Sequence, residues 1–106
     1  MTKFFISPGD PAGIGPEVTL KALSKNKKIQ NNFILAGDKN LYQDLISLNN
    51  LDLNLIEEDS DEEGVIFKHF PLENNVSIGN PDVGNANYII DILSHGALGC
   101  LKNEFK

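Results

Sequence analysis

Residues 3–24 constrain the fold more than any other stretch of this chain. An apolar run, a turn crowded with glycine and proline, and an amphipathic helix follow one another without a gap. Lys3-Phe4-Phe5-Ile6-Ser7 reads as a short strand stopped by Pro8-Gly9. The turn, Pro8-Gly9-Asp10-Pro11-Ala12-Gly13-Ile14-Gly15, holds three glycines and two prolines in eight residues. Pro16 suits the first helical position, where its missing N–H is no loss, and Glu17 lies beside the positive end of the helix. Val18 and Ala22, with Leu23, predict the apolar stripe of a helix running to about Ser24, closed by Lys25-Asn26-Lys27-Lys28. A strand that turns straight into a helix places that turn at the carboxyl end of a sheet, where open α/β proteins bind ligands.

The pattern then repeats. Asn32-Phe33-Ile34-Leu35-Ala36, halted by Gly37-Asp38, predicts a second strand, and Leu41, Leu45, Ile46 and Leu48 recur at helical spacing. Leu51, Leu53 and Leu55 alternate with Asp52 and Asn54, the period of a half-buried or edge strand, and Val65-Ile66-Phe67 is a further short strand. Residues 71–85 are too rich in Pro, Gly and Asn for a long element. A last helix is predicted from near Asn85, burying Ala86, Ile89, Ile90, Leu93, Ala97 and Leu98, weakened by Gly96 and Gly99 and loose towards Leu101. Alternating strands and helices imply an α/β chain with a mostly parallel or mixed sheet and flanking helices. At 106 residues this is one small unit, and the final helix leads into no following strand.

Composition excludes several classes of function. No apolar run approaches the roughly 18 residues of a membrane helix, and the apolar start is too short for a signal-peptide core, so the expected location is cytoplasmic. The single Cys100 excludes an internal disulfide and is expected to be a packed thiol. Residues 1–50 carry six Lys against four acids, whereas residues 51–106 carry three Lys against eleven acids. The acidic run Glu57-Glu58-Asp59-Ser60-Asp61-Glu62-Glu63 repels phosphate backbones, which argues against nucleic acid, and it lacks EF-hand spacing, so it reads as a solvated connector. Arginine is absent, so any phosphate or carboxylate held here is held by Lys, backbone N–H or hydroxyl groups.

The turn at 8–16 is the one local feature with chemical content. It is neither G-x-G-x-x-G nor a Walker A loop. Gly13 and Gly15 permit close backbone approach or positive φ, while Pro11 and Pro16 stiffen the loop. Two readings stand on spacing alone. One is an anion or polar ligand against the helix N-terminus with Asp10 pointing into the cleft; the other is a tight turn with no ligand.

Ile6 through Glu17 resembles the opening signature of the 4-hydroxythreonine-4-phosphate dehydrogenase family. Gly37-Asp38-Lys39-Asn40-Leu41 resembles that family's second strand-to-helix junction, and Asn85 through Phe105 the helix before its central catalytic strand. The resemblance implies a partial isocitrate/isopropylmalate-dehydrogenase-like fold, with residues 1–106 as the incomplete N-terminal third of a longer chain. It also implies a homodimer that oxidises 4-phosphooxy-L-threonine with NAD or NADP in pyridoxal phosphate biosynthesis. A divalent metal such as zinc, held by histidines of both subunits, acts there as a Lewis acid. Those histidines and the substrate-holding groups match no residue here. His69 is expected to be an ordinary, partly exposed side chain and His95 to lie on the polar helix face with Asp91. Gly9, Asp10, Gly13 and Gly15 are the expected cleft-wall, substrate-side residues; no catalytic or metal residue is assigned, and the segment alone is expected to be inactive. The alternatives are a dehydrogenase of a related four-carbon sugar-acid phosphate, and a non-catalytic remnant or small partner-binding protein.

Overall fold

A computed structural model describes residues 3–77 and 79–106. Four strands, β1 (Phe4–Ile6), β2 (Phe33–Gly37), β3 (Leu55–Ile56) and β4 (Val65–His69), form one sheet in the order β1-β2-β4-β3, and every pairing is parallel. Three α-helices flank it: α1 (Gly15–Ser24), α2 (Lys39–Leu48) and α3 (Ala86–Leu101). A 3-10 segment at Lys27–Asn32 carries α1 into β2.

The period of two in the strands sorts the core into two layers. Leu35, Val65 and Phe67 face Leu20 and Leu23 of α1 and Tyr42 and Ile46 of α2. Their neighbours Ile34, Ala36 and Ile66 face the other way, towards Tyr88 and Ile92 of α3 and towards Phe105. The sheet is thus covered on both faces, as an all-parallel sheet requires.

β3 and β4 are parallel neighbours joined by only the acidic stretch after Ile56, with no helix. Such a crossover ordinarily takes a dozen residues or more. Eight suffice here because β3 is two residues long, so the return path is short. Lys68 Nζ to Glu58 Oε2, 3.0 Å, ties this connector to β4 and holds the Glu58 carboxyl below its ordinary range. Leu51 and Leu53 pack on the core without joining a strand, which confines the predicted alternating strand to its last residues.

The helix faces differ from those the sequence pattern predicts. In α1, Val18 and Ala22 are exposed, and Pro16, Leu20 and Leu23 are buried. In α3, Ala86, Ile90, Leu93, Ala97 and Leu98 are exposed, Ile89 is half-buried, and Tyr88, Ile92, Gly96 and Gly99 face the sheet. The two glycines are the reason. A Cβ at Gly96 would come within 2.9 Å of the Phe5 ring, and one at Gly99 would enter the ring of Phe105. Only hydrogen at these positions lets α3 settle onto the aromatic pair Phe5–Phe105, stacked with centroids 4.8 Å apart. Cys100, on the turn beside Gly99, is exposed rather than packed, because its neighbour occupies the inward face. Among the described residues no helix is long and apolar enough to cross a membrane.

Two asparagines end helices in the left-handed conformation that glycine usually supplies. Asn50 (φ 51) follows α2, where the Leu51 N–H donates to the Ile46 carbonyl; Asn103 (φ 58) follows α3, where the Glu104 N–H donates to the Gly99 carbonyl. The second reversal swings Phe105 under the sheet, where it is 7% exposed. Replacing Gly99 with Val should push Phe105 out and cost about 1–3 kcal/mol. Ala97→Val, on the exposed face, should cost less than about 1 kcal/mol. Urea midpoints of the two variants would settle it; equal losses would contradict the packing described.

Candidate functional site at the carboxyl rim of the sheet

The carboxyl ends of β1, β2 and β4 open onto three connections: residues 7–14, Asp38, and the long stretch Phe70–Asn85. The first is the glycine-rich turn. Asp10 is half-buried and its Oδ1 accepts from the Ala12 N–H at 2.8 Å, while the Gly13 N–H donates to the Asp10 carbonyl at 3.0 Å. The turn is therefore pinned by Asp10 itself. Gly9 alone among its glycines has positive φ (88°), and a Cβ there would meet nothing within 4 Å. Gly13 sits 3.3 Å (ideal Cβ) from the Asp10 carbonyl oxygen, and at Gly15 a Cβ would overlap the Pro8 carbonyl. Gly15 thus lets the first turn of α1 lie against the strand end. Pro11, Ala12 and Pro16 are buried, so the loop is packed from below.

Ile14 precedes α1 without a side-chain cap, and Pro16 has no N–H to satisfy. The Gly79 N–H donates to the Ala12 carbonyl at 2.8 Å, which brings the third connection over the first. That connection is stiffened in turn by Asn85, 2% exposed, whose Oδ1 accepts from the Asn74 N–H at 2.9 Å.

The second connection is built around Asp38, which is 8% exposed. Its Oδ1 accepts from the Leu41 N–H (3.1 Å), capping α2, and its Oδ2 accepts from the Leu72 N–H (2.9 Å). The Asp38 N–H donates to the Tyr88 hydroxyl at 3.0 Å, which ties α3 to the end of β2. Gly37 makes room for both tyrosines, since a Cβ there would collide with the Tyr42 ring and reach 3.0 Å from the Tyr88 oxygen. Burial raises the Tyr88 hydroxyl to about 12 and pushes Tyr42 higher still.

His69 ends β4 exposed, and its Nδ1 accepts from the Lys39 N–H at 3.0 Å, which places the ring as a second cap on α2. His95 is not on the polar face with Asp91. It is half-buried among Phe5 (5.7 Å), Phe70 (5.5 Å) and Phe105 (6.0 Å), because α3 turns that side towards the sheet. The two histidines are thus apart and engaged separately. Among the described residues no three His, Cys, Asp or Glu side chains come together as a metal-holding group. A hollow at the opposite, amino-terminal rim is lined by Lys3, Lys27 and Lys28 and by the acids Asp52, Glu58, Asp61, Glu62 and Glu63, so the acids outnumber the lysines there.

Sequence reading placed the turn correctly but missed Asp38, Tyr88 and Asn85. For Asp38 the signal was present, an Asp directly before a helical run. Nothing local marks Tyr88 or Asn85, whose partners lie 50 and 11 residues away.

A parallel sheet with helices on both faces, and a glycine-bearing strand-to-helix turn at its carboxyl rim, defines an open α/β unit. No family model matches the chain. Among curated proteins, the 4-hydroxythreonine-4-phosphate dehydrogenase of Vibrio parahaemolyticus is 28% identical over 110 residues, covering 97% of this chain and 32% of its own length. That of Enterobacter sp. (strain 638) is 28% identical over 107 residues, covering 94% and 32%. Among solved structures, the fold is shared with 4-hydroxythreonine-4-phosphate dehydrogenases from Klebsiella pneumoniae (TM-score 0.84, 18% identity, 99% of this chain, 35% of that one) and Burkholderia phymatum (TM-score 0.82, 18% identity, 99% and 34%). In sequence the chain is similar to the N-terminal part of these 4-hydroxythreonine-4-phosphate dehydrogenases, and it spans about a third of the length of those relatives.

Asp38→Ala should cost about 2–4 kcal/mol, since it removes a helix cap and strands the Leu72 N–H, whereas Asp38→Asn keeps one acceptor and should lose less. Equal urea midpoints for Asp38→Ala and the parent would refute this account. The tyrosines set an alkaline limit. A folded-state value above the unfolded one, about 10, means that the folded chain keeps protons the unfolded chain loses. The stability is intact below pH about 10 and declines as pH rises towards the folded value. Absorbance at 295 nm should therefore show both tyrosines ionising together with loss of circular dichroism; free titration near pH 10 with the fold intact would disprove it.

Proposed function

We propose that this chain supplies the N-terminal α/β unit of an NAD(P)-dependent dehydrogenase that oxidises 4-phosphooxy-L-threonine in pyridoxal phosphate biosynthesis. The observation that carries the reading is the similarity to proteins of that name along 97% of the chain, glycine-rich turn included. On this reading the sheet is the start of an isocitrate/isopropylmalate-dehydrogenase-like fold, and residues 1–106 correspond to its N-terminal third. The working enzyme is a cytoplasmic homodimer.

Gly9, Asp10, Gly13 and Gly15 form one wall of the substrate cleft. Asp10 supports that role with its second carboxylate oxygen, which has no hydrogen-bond partner among the described residues while Oδ1 holds the loop. The open space around Gly9 and the lack of a side-chain cap on α1 favour a small polar or anionic group resting on backbone N–H. These residues bind and orient. Hydride passes between substrate and nicotinamide, for which the chain offers no dinucleotide loop of its own. The described residues do not make a metal centre by themselves, so no chemical step is assigned to a metal here.

The test exchanges this chain for the matching N-terminal third of the Vibrio parahaemolyticus enzyme and follows NADH at 340 nm with 4-phosphooxy-L-threonine. The 106-residue chain alone should give no NADH, the chimera should turn over, and Asp10→Ala in the chimera should lower kcat/KM by about tenfold or more, the loss of one charge-assisted contact. A folded but inactive chimera, or an Asp10→Ala chimera as active as its parent, would sink the proposal.

A further inference from the structure

Asn85 is a buried polar side chain to which the proposed cleft gives no role. It is 2% exposed, and both ends of its amide are spent on one residue. Its Oδ1 accepts from the Asn74 N–H at 2.9 Å, and its Nδ2 donates to the Asn74 carbonyl at 3.3 Å. Asp82 completes the closure. Its Oδ2 accepts from the Asn74 side-chain amide at 3.3 Å, its Oδ1 from the Gly84 N–H at 2.7 Å, and its carbonyl from the Asn85 N–H at 3.0 Å. The loop between Asn74 and Asn85 therefore leaves and returns through a single clamp.

Among the described hydrogen bonds, one joins residues 75–81 to another part of the chain: the Gly79 N–H donates to the Ala12 carbonyl at 2.8 Å. That carbonyl belongs to the same planar peptide unit as the Gly13 N–H, which donates to the Asp10 carbonyl at 3.0 Å. The unit is thus held at both ends, by Gly79 on one side and by Asp10 on the other. The preceding peptide supplies the Ala12 N–H that holds Asp10 Oδ1 at 2.8 Å. Tilting either peptide swings the Asp10 carboxylate, and with it the oxygen that no described hydrogen bond uses.

We propose that Asn85 is a positioning residue for Asp10. The clamp at Asn74 and Asn85 fixes the loop that sets Gly79 on Ala12, and the two peptides around Ala12 pass that placement to the Asp10 carboxylate. Asn85 itself touches no ligand. This assignment rests on the reading of Asp10 as a substrate-side residue. Its consequence is catalytic because a misplacement of about 1 Å in a group that orients substrate can cost roughly a hundredfold in rate. Gly79 serves the same clasp from its exposed side. Its φ of 84° lies in the left-handed region, while a Cβ there would meet nothing within 4 Å, so conformation and not space calls for glycine.

Amide hydrogen exchange and a double-mutant cycle test it. In the 106-residue chain, Asn85→Ala should speed exchange of the Gly79 and Gly13 amides about tenfold or more, while the Leu35 amide in β2 stays protected. If Leu35 loses protection as well, Gly79→Ala, strained but free of clashes, should loosen Gly13 by the same factor with Leu35 intact. In the chimera, Asn85→Ala should lower kcat/KM for 4-phosphooxy-L-threonine about tenfold, through KM and not kcat. Added to Asp10→Ala, the same substitution should change kcat/KM less than about threefold, because the group it positions is gone. A residue that only stabilises the fold would act equally in both backgrounds, and that result would overturn the proposal. Unchanged exchange at Gly79 and Gly13 would overturn it too. A chimera without turnover, beside the expected exchange, would uphold the clasp and overturn the reaction assigned to the intact protein.

Discussion

The approach of α3 to the sheet governs this structure. Gly96 and Gly99 present no side chain, Phe5 and Phe105 fill the space, and the stack between them joins the first strand to the last described residues. Everything on that face follows from the closeness of this contact. Tyr88 can reach the Asp38 N–H only because its helix lies near the strand ends, and His95 is drawn in among Phe5, Phe70 and Phe105. Glycines in a helix interior each cost about 1 kcal/mol relative to alanine, and here the buried aromatic surface offsets that loss.

The carboxyl rim shows the same economy of position. Three loops that would otherwise be independent are cross-tied by single groups: Asp38 holds α2 and Leu72, Tyr88 holds Asp38, and Gly79 meets Ala12. The glycine-rich turn therefore sits on a rigid frame while its outward side stays open at Gly9, beside the half-buried Asp10. The proposed role of Asp10 in orienting a ligand rests on this frame and on the one carboxylate oxygen that has no hydrogen-bond partner among the described residues.

Much of the fold was legible in the residues. The turn at 8–16, α1 to Ser24, β2, α2 and the start of α3 near Asn85 all follow from apolar periodicity and from Pro and Gly punctuation. The faces of α1 and α3 were not legible, for a physical reason. α3 carries one charged residue, Asp91, in sixteen positions, so hydrophobicity does not distinguish its sides. Its inward side carries Tyr88 and Ile92 in its first half but glycines, Gly96 and Gly99, in its second, and a glycine signals burial only when the filling side chain, here Phe5 or Phe105, is known. The candidate site divides in the same way. Asp10 and the glycines were found as a motif, whereas Asp38, Tyr88 and Asn85 act through partners that only the folded chain supplies.

The sequence by itself determined the alternation of strands and helices, a mostly parallel or mixed sheet, and the placement of the Pro8–Gly15 turn at its carboxyl rim. These follow from local backbone preferences and from periodicities of two and 3.6, which need no distant partner. Tertiary structure alone decided which side of α3 is buried, the sheet order β1-β2-β4-β3, and the return of Lys106 to the edge of β1. Each depends on contacts between residues far apart in the chain, whose energies of packing and hydrogen bonding exist only once the layers meet.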